Sequence, residues 1–346
     1  MKRLAVTLSI ALAMITSTAL ITGCNKGTKG PDKSNAKWTI GFSQCNSKEP
    51  WREQMNRDIQ KAVDKNKDLK VIIKDASNDA SKQRSQVEEF ISQGVDLIII
   101  TPKESAPLTA VVKQAYDKGI PVIVLDRKVN TENYTCFIGP NNYRIGKAAG
   151  EWIVKNLKKD AKIVELKGLM TSTPAQGRHN GFRDAIKGSS LKVIFEEDME
   201  WDQAKAQKAM ESALQRFKEI DCVYAHNDPA ALGAYQAAKR ENRQKDIIFV
   251  GIDGLKQEGQ ALVKRGKLSV SFEYPTGGNE AVQTAYEILQ GKTVPKVINL
   301  PSKFFTKENI EKGGQWVPGC APEDVAPKAP AKKAPAAKCG CSKKAA

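Results

Sequence analysis

Residues 119–127 read Gly119-Ile120-Pro121-Val122-Ile123-Val124-Leu125-Asp126-Arg127. An apolar, β-branched run of this length, opened by glycine and closed by charge, is a strand buried on both faces. In an open α/β sheet the carboxyl ends of the strands border the ligand crevice. Asp126 and Arg127 are therefore placed to hydrogen-bond something polar. A helix cap is the competing reading for Asp126, and a surface ion pair for Arg127.

Outward from this strand the same grammar repeats. Strands are predicted at Trp38–Ser43, Leu69–Lys74, Val95–Thr101 and Pro121–Leu125, alternating with helices at Trp51–Val63, Ser81–Gln93 and around Val111-Val112. After Asn141 the pattern restarts, with strands at Ala161–Leu166, Leu191–Phe195, Cys222–Ala225 and Ile247–Ile252, each followed by a helix. Strand starts recur about every 25–30 residues, the length of a βαβ step. Right-handed crossovers then give an α/β fold of two doubly wound, parallel-sheet lobes. A further strand, Leu268–Phe272, ends near Tyr274-Pro275-Thr276-Gly277-Gly278-Asn279, where the chain is expected to cross back to the first lobe. This predicts an N-terminal lobe of residues 38–140 and 274–302, and a C-terminal lobe of residues 141–273 and 303–318. A single sheet of eight or more strands is the less usual alternative.

The chain has 346 residues and a net charge of +16, from 55 basic and 39 acidic residues. Much of the excess lies in the head and in a Lys-Ala-Pro tail, residues 319–346, expected to be a solvated spacer. The middle has no basic run with interleaved aromatics, which disfavours nucleic acid as a partner. At the head, Lys2-Arg3 precede an apolar stretch, Leu4 to Leu20, and Ile21-Thr22-Gly23-Cys24 follows. This resembles a bacterial lipoprotein signal, residues 1–24, and implies export with Cys24 lipidated and holding the chain to a membrane. Residues 25–37 then form a flexible tether. Of the seven cysteines, Cys45, Cys136 and Cys222 fall in or beside strands as small buried hydrophobes. Cys320, Cys339 and Cys341 fall at or past the domain end, with no paired half-site for zinc.

Polar residues collect where strands stop. In the first lobe these are Glu49, Trp51, Arg52, Asp126 and Arg127; in the second, Arg178, Trp201, Asn227 and Asp253, with Glu273 at the late crossing. Each sugar hydroxyl both donates and accepts, so carboxylates, amides and guanidinium groups suit a neutral polyol. Trp51 and Trp201 offer flat walls for its C–H faces. No Gly-rich nucleotide fingerprint follows an early strand, and no cofactor or metal is implied. Trp51 as a hydrophobic staple after Pro50, surface ion pairing for Arg178 and a structural role for His226 are the competing readings.

Together these residues carry a resemblance. Gly41-Phe42-Ser43-Gln44 with Trp51-Arg52, Gln93-Gly94-Val95-Asp96 with Thr101-Pro102, Ile120-Pro121-Val122 with Leu125-Asp126-Arg127, Gly181-Phe182, Ala225-His226-Asn227-Asp228 and Gly251-Ile252-Asp253-Gly254 are similar to the periplasmic sugar-binding proteins of the ribose/galactose type. Among these, the sequence looks most like the galactofuranose-binding proteins of ABC importers. The resemblance implies a type I periplasmic-binding-protein fold with a multi-strand hinge, in which Glu49, Trp51, Arg52, Asp126, Arg127, Arg178, Trp201, Asn227, Asp253 and Glu273 line a cleft. It further implies a monomer that closes on a monosaccharide and presents it to a membrane permease, with no catalysis. Lys48-Glu49-Pro50 and Trp201 depart from the family's usual smaller residues and phenylalanine. A sensor feeding a chemoreceptor or kinase is the alternative output. A glycoside-processing enzyme built on Asp126 and Asp253 is a third reading, weakened because Arg127 beside Asp126 favours its ionised form.

Overall fold

The computed structural model describes residues 35–325 and the backbone of residues 328–330. Cys24 and the rest of the head, with Cys339 and Cys341, lie outside the described residues. The first lobe opens with β1 (Trp38–Gln44), α1 (Pro50–Asp64), β2 (Leu69–Asp75), α2 (Ala80–Gln93), β3 (Leu97–Thr101), α3 (Ser105–Asp117), β4 (Val122–Leu125) and β5 (Cys136–Pro140). The second holds α4 (Asn142–Asn156), β6 (Lys162–Lys167), α5 (Thr173–Ile186), β7 (Lys192–Asp198), α6 (Gln203–Arg216), β8 (Cys222–Ala225), α7 (Asp228–Arg240), β9 (Ile248–Asp253), α8 (Gly259–Lys264) and β10 (Val270–Glu273). Then come α9 (Gly278–Leu289), β11 (Pro295–Leu300), β12 (Lys303–Thr306), β13 (Gln315–Trp316) and β14 (Lys328–Pro330).

These strands form two sheets of seven, ordered β14-β11-β5-β4-β3-β1-β2 and β13-β12-β10-β9-β8-β6-β7. Pairing is parallel except at β12, β13 and β14, which run antiparallel to their neighbours. The inner orders 5-4-3-1-2 and 10-9-8-6-7 are the same doubly wound topology twice. Each places its switch point at the carboxyl ends of its central strands, where ligands bind in such sheets.

The opening stretch behaves as its composition dictates. In β4 the side chains of Val122 and Val124 enter one core and those of Ile123 and Leu125 another. β3 does the same, with Ile98 and Ile100 on one side and Leu97 and Ile99 on the other. Each side chain so buried contributes about 1.5–3 kcal/mol, and the two-residue period leaves neither face of the strand to water. In the second lobe, Cys222 and Tyr224 of β8 face one core and Val223 and Ala225 the other.

Two features differ from the sequence reading. β5 follows β4 through a loop with no helix between them, so Asp126 has no helix to cap. The chain beyond residue 318 is also not free at first. Cys320 is buried, and Lys328–Pro330 pairs with β11, whose outer edge is otherwise open. The first part of the spacer expected over residues 319–346 thus includes residues held in the fold. Cys45, Cys136 and Cys222 are buried free thiols, as is Cys320.

Helices α4 and α5 set the second lobe's share of the site. A Cβ on Gly146 would lie 2.2 Å from the Arg178 carbonyl oxygen, and one on Gly181 2.0 Å from that of Tyr143. Glycine at both positions lets the two helix backbones meet, which seats Arg178 beside the hinge.

Beneath α5 lies a buried charge network. Glu165 is fully buried and its carboxylate meets His179 Nδ1 at 2.8 Å, His226 Nε2 at 3.2 Å and Arg183 Nε at 2.9 Å. His226 Nδ1 accepts the Gly168 N–H at 3.2 Å, so its proton sits on Nε2 and points at Glu165. Glu165, His179 and Glu196 group their ligand atoms as a metal site could, but the Arg183 guanidinium ion-pairs with both carboxylates. Burial pushes the Glu165 carboxyl up; His179, His226 and Arg183 outweigh it and hold it well below the usual range. Glu165→Leu leaves these partners uncompensated and is expected to cost about 3 kcal/mol in urea unfolding.

Candidate functional site

Every residue expected in the cleft except Glu273 lines one cavity of about 300 Å³ between the lobes, joined there by Pro174 and Tyr274.

From the first lobe, Pro50 opens α1 and directs Trp51 and Arg52 inward. The Trp51 indole N–H donates to the Tyr274 carbonyl at 2.6 Å, and its ring lies 5.1 Å from the Tyr274 ring. Arg52 Nη2 stands 2.7 Å from Asp126 Oδ2, with both side chains almost wholly buried. Asp126, turned out of β4 at φ 69°, accepts the Tyr274 hydroxyl on Oδ1 at 2.6 Å. Burial pushes the Asp126 carboxyl up, but Arg52, Arg127 and the Tyr274 hydrogen bond outweigh it and hold it below the ordinary carboxylate range. Arg127 donates from Nη1 to the Lys103 carbonyl at 2.8 Å, so it is no surface residue. Glu49 accepts from Asn46 Nδ2 at 2.7 Å.

From the second lobe, Arg178 donates from Nε to Asn142 Oδ1 at 3.0 Å and from Nη1 to the His226 carbonyl. Its guanidinium lies over the rings of Tyr274 at 4.2 Å and Trp201 at 5.2 Å, within cation–π range. Trp201 is held at φ 71° in the turn before Asp202, which caps α6. Asn227 does two jobs: Oδ1 caps α7 on the Ala230 N–H at 3.1 Å, and Nδ2 fixes Trp201 through its carbonyl at 3.0 Å. Asp253 ends β9 with its carboxyl facing the cavity, pushed well above the ordinary range by burial and by Asp228.

Glu273 does not line this cavity. It accepts the Lys303 N–H at 3.2 Å and borders a separate depression with Asp253 and Tyr274. The neighbouring Tyr274 lines the cavity instead. Successive residues of an extended chain face opposite sides, so a strand-end rule with no register information misses by one position. Pro174 was also missed; its signal was its place at the start of α5 after β6.

Four buried donors around the cavity make no hydrogen bond to any described residue: Arg52 Nε and Nη1, Trp201 Nε1, and Arg127 Nε, which lies 3.6 Å from Asp126 Oδ2. Each such group costs about 1–3 kcal/mol if left unmade. The site is thus a ring of N–H donors without oxygens, walled by Trp51, Trp201 and Tyr274, with Asp126, Asp253 and Glu49 as acceptors.

The family described as periplasmic binding protein domain matches residues 40–293. The chain belongs to this family. It is 34% identical to the ribose import binding protein of Bacillus subtilis strain 168, over 87% of this chain and 99% of that one. It is 31% identical to the galactofuranose-binding protein of Escherichia coli K12, over 80% and 92%. Among solved structures, the fructose-binding periplasmic domain of a hybrid two-component system is 43% identical, covers 80% of this chain and 93% of its own, and superposes with a TM-score of 0.77. Periplasmic binding proteins of this kind are solute carriers, not enzymes. Both Asp126 oxygens are engaged, by Tyr274 and Arg52.

Proposed function

We propose that this periplasmic binding protein captures a monosaccharide in its furanose form and delivers it to an ABC importer. The observation that carries this reading is the set of unpartnered buried donors beside aromatic walls. A polyhydroxylated ring supplies the missing oxygens and two C–H faces. The galactofuranose-binding relative supports a furanose. Glu49, Trp51, Arg52, Asp126, Arg127, Arg178, Trp201, Asn227 and Asp253 would contact the sugar, with Tyr274 added and Glu273 set behind. Residues 38–140 with 274–302 would move against residues 141–273 with 303–318, and the ligand would favour the closed state because both lobes contact it there. The head would anchor this monomer outside the cytoplasm through lipid on Cys24.

A second reading, a sugar sensor, is favoured by the 43% identity to a receptor domain of a two-component system. Co-purification with a permease rather than a kinase separates the two. Isothermal titration against D-fructose, D-ribose, D-galactose, L-arabinose and paired methyl furanosides and pyranosides tests the ligand. One tight binder, with furanoside preferred over pyranoside, is expected; binding of none overturns the reading.

A further inference from the structure

Asp228 opens α7, yet Asn227 is the residue that caps it. The Asp228 carboxylate is fully buried and has no ion-pair partner among the described residues. It is nevertheless hydrogen-bonded: Oδ2 accepts the Gly254 N–H at 2.8 Å, and both oxygens lie 2.8 Å from the Ser271 hydroxyl. The sequence clears space for it. A Cβ on Gly251 would sit 2.2 Å from Oδ1, and one on Gly259 1.9 Å from Oδ2. Neither position accepts a side chain while the carboxylate is in place. This seat of two glycines, an amide and a hydroxyl is built for one carboxylate.

What the seat holds is the turn after β9. Asp253 has φ 145°, a conformation that a residue with a side chain keeps only where its surroundings over-determine it. Those surroundings are Asp228, bonded to the next amide, and the Tyr274 N–H, which donates to the Asp253 carbonyl at 2.9 Å. The Asp253 carboxyl faces the cavity and takes no hydrogen bond from any described residue.

We propose that Asp228 is a positioning residue of the site: through the Gly254 amide and the Ser271 hydroxyl it fixes the turn that carries Asp253 into the cavity, and it sets its own charge one residue from Asp253. This rests on the reading of the cavity as a sugar site. Asp228 reaches the amide next to Asp253, and two neighbouring buried carboxyls do not both ionise readily. Asp228 keeps the charge, because its hydrogen bonds and the N-terminus of α7 favour the anion. Burial raises both carboxyls, and the Asp228 charge raises Asp253 further. The other charged groups facing Asp253 are Arg178 of α5, which opposes the rise, with Glu258 before α8 and Glu49 of the first lobe, which add to it. Glu273, its register partner on β10, is itself pushed up by burial. When it holds its proton, the Asp253 carboxyl offers one donor and one acceptor, the pair that a sugar hydroxyl matches in both directions.

The test uses Asp228→Asn and Asp228→Ala in the full chain. Carboxyl-carbon NMR titration of the ligand-free protein reads Asp253 directly, and D-fructose titrations across pH 5–9 read affinity. In Asp228→Asn the Gly254 bond survives and the charge does not. The Asp253 titration and the midpoint of D-fructose affinity against pH are both expected to move down by about one pH unit. In Asp228→Ala the Gly254 amide loses hydrogen-exchange protection and affinity falls about 30-fold at every pH. An unmoved Asp253 titration in Asp228→Asn, or unchanged Gly254 protection in Asp228→Ala, overturns the proposal. If wild type ignores D-fructose and the wider sugar panel, the sugar reading fails. The ligand-free titration and exchange still decide the role of Asp228.

Discussion

Arg178→Met is expected to lower sugar affinity at least 100-fold in calorimetry while leaving the fold intact. Methionine fills most of the same space between the Tyr274 and Trp201 rings, so neither lobe gains a large void. What disappears is the guanidinium that links Asn142 at the hinge to the His226 carbonyl in the second lobe. Removing one buried, hydrogen-bonded charge from a binding site costs about 2–5 kcal/mol. Lysine should rescue little, because a point charge cannot serve Nε and Nη1 partners in the same plane. Affinity within threefold of wild type would show that Arg178 is only a structural strut.

Asp126→Asn is expected to act on both binding and stability. Its amide nitrogen would face the Arg52 guanidinium, donor against donor, and leave that buried cation unpaired. Losing a hydrogen bond to a charged group costs about 1.5–3 kcal/mol, so affinity should drop between about 10-fold and 150-fold. The pH dependence gives a separate check. The Asp126 carboxyl in the folded chain lies below its unfolded value near 3.8. Its stabilising contribution is therefore complete above that value and is lost as pH falls through the lower, folded-state value. The stability gap between wild type and Asp126→Asn in urea should be widest near neutral pH and narrow in strong acid. A gap that stays constant to the acid limit would mean that the ion pair with Arg52 contributes nothing.

Much of this was legible from local signals. The apolar runs at Val122–Leu125 and Leu97–Thr101 announce strands with two buried faces, and the polar residue after each strand announces a crevice. Asp126, Arg127, Arg178 and Trp201 could be chosen because buried parallel strands must end at a common edge. Glu273 was misjudged for Tyr274 because pointing direction depends on register, and register is set by strand pairing that no local pattern contains. Asn227 shows another limit. Its capping role and its place in the cavity wall are both real, and only the carbonyl of Trp201, arriving from a different turn, makes the second role visible.

The sequence by itself determined two doubly wound lobes, their alternating elements and most of the polar residues at the cleft. These follow from periodicity and side-chain chemistry, which act over a few residues. The tertiary structure decided which groups are left without partners. Arg52 could be read as a charge, but not as a charge with one nitrogen on Asp126 and two others buried without a hydrogen bond to any described residue. Likewise, Asp228 and Asp253 are separated by a whole helix and strand in the chain, and are brought together only when the Gly254 amide after Asp253 bonds the Asp228 carboxylate. Hydrogen-bond completion and electrostatic coupling depend on distances across the fold, and those distances exist only once both lobes have packed.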